Sequence, residues 1–424
     1  MPLLAGVAVL VALEHPSIGR GGSWLLDASL LVSLAVAGAQ LVPLSGALRA
    51  RVSPHASQID QALRLDGGAG AAPAQPLSID PESTAWAVAL AAAYIALFFC
   101  ARSIFARGGV RTVSRGIAWI GLGLCALVAV QRATSPSMLY WYFRPLDAGA
   151  SPYGPFVSRN ALATWLAMAA PIAIGYAVAR DRSDRRVAPG GIAARIEAMD
   201  STQLWLAAAA CVMTGTVFAS TSRAGILGVT LGLLAFVAVS RARIRRGRVA
   251  VWTLVALAGI AAAALMFGDF GALAMRLQET TESGVWGRRA IWRDSWRMAQ
   301  DFWIAGVGAG AFEKGMLLYQ QGSRLFFFNH AHNEYLQLVA EGGVLLAVPA
   351  AFALIAGVVI IAGHLRGDRT PIFWIRAGAA AAIVAVAVQS IWETGLRTPA
   401  NGALFAVIAA IGCHEPRATE RRRP

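Results

Sequence analysis

Two of the six histidines in this chain stand two residues apart, in Phe326-Phe327-Phe328-Asn329-His330-Ala331-His332-Asn333-Glu334-Tyr335-Leu336. Two imidazoles, two amides and a carboxylate are packed here just ahead of a long apolar run. An imidazole titrates near pH ~6.5 in water, so it can accept a proton at neutral pH. His332 is therefore a candidate general base, with Asn333 and Glu334 available to orient it or to hold a substrate hydroxyl. His330 is a weaker candidate, because in an extended segment it points the opposite way. The bland alternative is an imidazole that caps the following helix. A His-Ala-His metal site would need further ligands, and the sequence holds no second His or Cys cluster.

Arginines supply the complementary chemistry. Arg223 lies in Ser220-Thr221-Ser222-Arg223-Ala224-Gly225, between two apolar runs. Arg159 follows Val157-Ser158, and Arg288 follows Gly287. A guanidinium fork donates two parallel hydrogen bonds and suits a phosphate. The alternative for each is an arginine that snorkels at a membrane boundary. The run Gly306-Val307-Gly308-Ala309-Gly310 superficially matches a nucleotide loop. It follows no strand pattern and carries no Lys-Ser/Thr pair, so it reads as a tight turn. No Asp-x-Asp pattern is present, which argues against a nucleotide-sugar donor.

The elements that must position these residues are apolar. Of 424 residues, 57% are hydrophobic and 14% charged, and mean hydropathy is +0.57. Soluble domains carry about 25% charged residues, so the composition is that of a polytopic membrane protein. Runs of spanning length fall near 24–44, 83–101, 115–131, 158–179, 201–219, 223–240, 249–267, 335–363, 371–391 and 400–414, and a shorter one covers 2–13. The net charge of +14 lies mostly in short arginine-rich loops between these runs, which points to membrane topology rather than to nucleic acid. Arginine clusters at 102–115, 180–186, 241–248, 364–369 and 417–423 are expected inside. The segments 45–82, 132–157, 220–222, 268–334 and 392–399 then lie outside, and with them His332, Arg159, Arg223 and Arg288. Within 268–334, Trp292, Trp296, Ala299 and Trp303 recur at helical spacing, with Arg289, Arg293 and Arg297 on a neighbouring face. This pattern predicts an amphipathic interfacial helix. The four cysteines show neither zinc nor disulfide spacing.

Four stretches together resemble the O-antigen ligase / O-antigen polymerase superfamily of membrane glycan transferases. They are Phe156-Val157-Ser158-Arg159-Asn160 with Ala163 and Leu166; Ser222-Arg223-Ala224-Gly225; Gly287-Arg288 with Trp292 and the run Gly306 to Phe312; and His332-Asn333-Glu334-Tyr335-Leu336 with Glu341-Gly342-Gly343. Ser158 departs from the family's Asn, and Trp303-Ile304-Ala305 departs where many members have Pro-Leu. The matches run from about 156 to 346 and lie on one side of the expected topology.

The resemblance implies an all-α polytopic fold, GT-C-like, of about 11–12 transmembrane helices with one large periplasmic loop. It divides the chain into N-terminal helices with the outer loop 45–82 (1–155), a ligase-like region with the loop 268–334 (156–346), and C-terminal helices with a basic cytoplasmic tail (347–424). The count suggests a first helix that is shortened or preceded by another. The implied location is the bacterial inner membrane, with the site facing the periplasm. The implied donor is a glycan on undecaprenyl diphosphate. The acceptor is lipid A core, a growing polysaccharide or a glycoprotein, and no cofactor or metal is needed. On the family's pattern, Arg223 and Arg288 bind the diphosphate, Arg159 adds a phosphate contact, and His332 activates the acceptor, with Asn333, Glu334 and His330 in support. The competing reading is a lipid-linked glycan flippase without covalent chemistry. Inverted repeats and mid-span polar residues would mark such a transporter, whereas the polar residues here gather at one face.

Overall fold

The computed structural model describes residues 2–16, 18–19, 21–63, 74–145, 152–180, 199–241, 243, 283–321 and 328–415; of residues 21, 60–63 and 283–287 the backbone alone is described. The described residues form helices and turns joined by isolated β-bridges. In order the α-helices are α1 (Pro2–Glu14), α2 (Trp24–Ala39), α3 (Gly46–Val52), α4 (Pro54–Leu63), α5 (Pro81–Ala106), α6 (Val110–Thr134), α7 (Arg159–Arg180), α8 (Ser201–Ala219), α9 (Arg223–Ser240), α10 (Ser283–Asp301), α11 (Phe312–Tyr319), α12 (Glu334–Gly367), α13 (Ile372–Gln389) and α14 (Pro399–Cys413). Seven of them, α5 to α9, α12 and α13, are long and apolar enough to cross a membrane. The protein is thus an all-α polytopic membrane protein. Helices α1, α2 and α14 are apolar but shorter. The expected run 249–267 lies outside the described residues.

The chain divides into two compact units, each with its own interior. The first comprises Met1–Phe99, Arg276–Val359 and Ser390–Thr394. The second comprises Cys100–Met275, Ile360–Gln389 and Gly395–Pro424.

In the first unit, α10 and α11 close over Ile291, Met298, Ala299, Phe302, Val307, Phe312 and Met316, joined by Ala331 and Ala340. The tryptophan stripe read from the sequence is indeed helical, but it divides. Trp292 turns its indole towards Ala331, while Trp296 and Trp303 are exposed.

The run 335–363 is not one continuous helix. Gly343 within α12 takes φ 57°, ψ −163°, and its amide neighbours bond elsewhere: Val344 N donates to Trp303 O (2.7 Å) and Leu345 N to Ile304 O (3.1 Å). On the other side of the break, Val307 N donates to Ala340 O and Gly308 N to Glu341 O, both at 3.0 Å. The glycine turn and the Glu341-Gly342-Gly343 break are therefore one interlocked feature. A Cβ on Gly306 would fall 2.2 Å from the Glu341 backbone, and one on Gly343 would fall 2.4 Å from that of Ile304. Only glycine fits there, on grounds of both space and backbone conformation. Buried Gln40 closes the feature: its Nε2 donates to Ala305 O and Glu341 O, and its Oε1 accepts from Ala309 N.

The second unit is built on α7, whose side chains from Ala161 to Val178 are all buried. It packs against α6, α8, α9, α13 and α14. Gly175 on α7 sits against Trp374 O and Gly378 on α13 sits against Pro171 O, where a Cβ would come within 2.4 Å of each carbonyl. Small residues let helix backbones approach where no hydrophobic drive exists between helices in lipid. At one end of this unit Arg376 pairs with Asp368 (2.6 Å) and donates to His414 O (2.7 Å). Burial, with help from the Arg376 charge, pushes the His414 imidazole down to about 4.

Gly343→Ala is expected to cost about 2–4 kcal/mol from a positive φ combined with a backbone clash, read as a lower unfolding temperature in detergent. His414 binds fewer protons folded than unfolded between its two pKa values. Its contribution is therefore complete above pH ~6.5 and is lost as pH falls from there towards 4, on the order of 1–3 kcal/mol. Thermal unfolding across that window should steepen with acid in the parent chain and flatten in His414→Gln.

Candidate active site

His332 sits in the segment between Phe328 and α12, and the reasons it stays there are local. Its own backbone is left-handed, with φ 49°, a conformation that costs a non-glycine residue and persists only where neighbours enforce it. Ala331, fully buried, is clamped on both sides: its N–H donates to Gln337 Oε1 (3.0 Å) and its carbonyl accepts from Trp292 Nε1 (3.0 Å). Asn333 accepts from Leu336 N through Oδ1 (2.9 Å), which makes it the cap of α12. Glu334 N donates to Ser390 O (2.9 Å) and so ties the 390–394 segment to the start of α12. Behind this layer, Gln337 Nε2 donates to Glu341 Oε1 (2.9 Å), and Glu341 Oε2 accepts from Gly310 N (3.0 Å). His330 Nδ1 lies 3.4 Å from Gln337 Nε2, beside the clamp.

The carboxylate that faces His332 is Glu393, a residue the sequence reading did not single out. Its Oε2 lies 3.5 Å from His332 Nδ1, and its Oε1 accepts from Arg288 Nη2 at 2.7 Å. The Glu393 side chain is 8% exposed, while His332 and Arg288 are each 36% exposed. An acid shielded on one side is thus shared between a guanidinium and an imidazole that both reach the surface. His332 Nδ1 makes no hydrogen bond within the described residues; its nearest charged neighbour is that carboxylate. With Nδ1 turned to Glu393, Nε2 is the nitrogen left for an incoming proton. Arg288 spends one N–H on Glu393, and the fork has five.

Arg159 and Arg223 belong to the second unit. Arg159 opens α7 and donates from Nη1 to Thr221 Oγ1 (3.2 Å). Thr221 has φ 52° and begins the turn into α9, whose first residue is Arg223. Ser222 caps α9, its Oγ accepting from Gly225 N at 3.3 Å. A helix N-terminus with an arginine in its first turn favours an anion. The structure thus groups Arg288 with His332 in one unit and Arg159 with the Arg223 turn in the other. Among the described residues no cluster of three or more His, Cys, Asp or Glu has metal-ligating geometry.

A multi-pass all-α membrane protein with a paired histidine and carboxylate beside an arginine is the class these observations define. Residues 208–351 match the family model described as O-Antigen ligase, which bears out the resemblance drawn from the sequence. The matched stretch contains Arg223, Arg288 and His332; Arg159 and Glu393 lie outside it. No curated protein matches the chain.

Gln337→Leu removes the acceptor for Ala331 N and a donor to buried Glu341. It should cost roughly 2–3 kcal/mol, measurable as a lowered unfolding temperature. An unchanged melting curve would show that the clamp does not hold the segment.

Proposed function

We propose that the chain transfers a glycan from an undecaprenyl-diphosphate carrier to an acceptor hydroxyl at the periplasmic face of the inner membrane, in one inverting displacement that needs no metal. The observation that supports this reading most is the Arg288–Glu393–His332 arrangement, which sets a proton acceptor beside an anion-binding fork. The match of residues 208–351 to the O-antigen ligase family model supports a glycan-transfer reaction. The acceptor is lipid A core, a growing polysaccharide or a glycoprotein.

In the proposed step the acceptor oxygen forms a bond to the anomeric carbon as that carbon's bond to the diphosphate oxygen breaks. The acceptor proton passes to His332 Nε2, and undecaprenyl diphosphate departs with the bonding electron pair. Glu393 offsets the charge of the imidazolium that results. Arg288, through the N–H groups not engaged by Glu393, stabilises the charge developing on the leaving diphosphate. Arg223 and Arg159 are proposed as further diphosphate ligands, on the strength of the resemblance and of the helix N-terminus at Arg223. Asn333 supports through its cap on α12, Glu334 through its backbone tie to Ser390, and His330 through Gln337.

The test is reconstitution with a lipid-linked oligosaccharide and candidate acceptors, scored for glycan transfer. His332→Ala should lower transfer by about 10²- to 10⁴-fold and Arg288→Ala by about 10²- to 10³-fold, with membrane insertion intact. Glu393→Gln should give a smaller loss, because the imidazole survives but its counter-charge does not. Transfer unchanged in His332→Ala would sink the assignment. Abolition of transfer by a chelator would favour a metal at His330 and His332 instead. Carrier movement across the bilayer with no glycan transferred to any acceptor would favour a flippase.

A further inference from the structure

A second feature of the second unit is unused by that chemistry. Beyond α6 the chain makes a tight turn in which Leu139 and Phe143 pair backbone to backbone, N to O at 2.7 and 3.0 Å. The turn displays four consecutive aromatic residues, Tyr140, Trp141, Tyr142 and Phe143, all exposed, Tyr142 to 81%. Tyr140 and Trp141 both have left-handed backbones, φ 51° and 65°. Side chains with a Cβ resist that conformation, and no glycine relieves it here. Two side-chain bonds hold the turn on α6: Trp141 Nε1 donates to Thr134 Oγ1 (2.7 Å), and Gln131 Nε2 donates to Met138 O. Four rings are thus held at the surface at a backbone cost, Tyr142 almost wholly and the other three about half exposed.

The occupant follows from what the turn is attached to. One face of α6 is exposed along its length through Trp119, Gly123, Ala126, Val130 and Thr134, while Ile117, Gly121, Cys125 and Val128 on the opposite face are buried. In a helix apolar enough to span a membrane, that exposed face is the one towards lipid. Thr134 is its last rung, and Thr134 is the residue that binds the Trp141 indole. Twenty-five residues at ~1.5 Å each give a rod of about 37 Å, longer than the ~30 Å hydrocarbon core. The end of α6 therefore emerges into the headgroup layer. Tyr and Trp favour that layer, because each offers an apolar ring and a polar tip. Exposed Arg144 follows the four rings directly and supplies a cation at the depth of lipid phosphates.

We propose that the Leu139–Phe143 turn is a membrane anchor that seats its rings in the headgroup layer of one leaflet. Its partner is the lipid surface. The anchor also has a mechanical connection. The Arg132 guanidinium, one residue past Gln131 on α6, lies 4.8 Å over the Tyr153 ring, and Tyr153 OH donates to Ala219 O (3.2 Å). Two residues on, Thr221 accepts from Arg159. The turn thus sets the depth of the end of this unit that carries Arg159 and Arg223, the depth at which lipid phosphates lie. The anchoring stands whether or not the transfer reading holds, because it is measured as depth.

The experiment places a spin label on the full chain in lipid nanodiscs, at Tyr142→Cys and separately at Phe143→Cys. Of the four native cysteines, Cys100, Cys125 and Cys413 are buried and Cys211 is half-buried, so Cys211→Ala serves as the background. An Ile120→Cys label on the exposed face of α6 gives the deep reference, and free label in buffer gives the aqueous one. Labels at 142 and 143 should lose collision with water-soluble nickel chelate and gain collision with oxygen, at a depth shallower than position 120. Collision with nickel chelate equal to that of free label at both positions overturns the anchor. If such water-exposed labels were immobilised by added oligosaccharide, the turn would be a sugar-stacking platform and the lipid assignment would fail.

Discussion

The first unit depends on two backbones meeting where neither has room for a side chain. Residues 303–308 and 340–345 exchange four main-chain hydrogen bonds across Gly306 and Gly343. A transmembrane helix normally satisfies every N–H and C=O within itself, because lipid offers no partner. Helix α12 gives up that self-sufficiency at Gly343, and the glycine turn after α10 supplies the missing partners. The break is therefore tolerable only where this turn is packed against it. The pieces around His332 converge on that meeting: the start of α12, α10 with Trp292 midway along it, and the Gly310 amide that donates to Glu341.

The site illustrates how charge is divided when one carboxylate serves two cations. Glu393 is well shielded, while Arg288 and His332 each keep a face towards solvent. An isolated buried carboxylate is costly, and Arg288 offsets that cost in the resting state. A phosphate approaching Arg288 competes with Glu393 for the fork, and any loosening of that pair shifts the negative charge of Glu393 towards His332. This couples the two halves of the proposed displacement through a single side chain.

Much of the helical framework was legible because hydropathy reports it directly: the described spans begin and end within a few residues of the apolar runs. His332 could be picked out because it belongs to a close histidine pair in a chain with six histidines, and Arg159, Arg223 and Arg288 because they fall on the expected outer side, where topology does not favour arginine. Glu393 could not. It lies far along the chain from His332, in a short connection with one carboxylate and no periodicity, and the Glu334–Ser390 backbone tie together with the Arg288–Glu393 pair brings it back. The break in α12 was hidden for a related reason, since Gly342-Gly343 inside an apolar run leaves hydropathy unchanged while altering the hydrogen-bond partners completely. On α10 periodicity found the helix, but the inward face belongs to Ile291 and Met298, continued by Phe302 just past its end, with Asp294 and Ser295 buried among them. A tryptophan stripe and an aliphatic stripe on one short helix are equally periodic, and spacing does not say which meets the core.

Gln40, Gln337 and Glu341 raise the question of why an apolar protein buries so many polar side chains beside its proposed site. A buried amide or carboxylate is costly unless its partners are in place. Here their partners are backbone groups that the break in α12 and the left-handed turn at His332 leave without helical ones: Ala305 O, Ala309 N, Glu341 O, Gly310 N and Ala331 N. Apolar substitutes of equal volume could fill the space but could not bond those groups. The polar network is thus matched to irregular backbone, and it selects one conformation of the His332 segment against helical alternatives that apolar packing alone would accept. A base must be held to fractions of an ångström relative to its substrate. In a protein surrounded by lipid, a saturated set of buried hydrogen bonds is the device that can impose that precision on a strained loop.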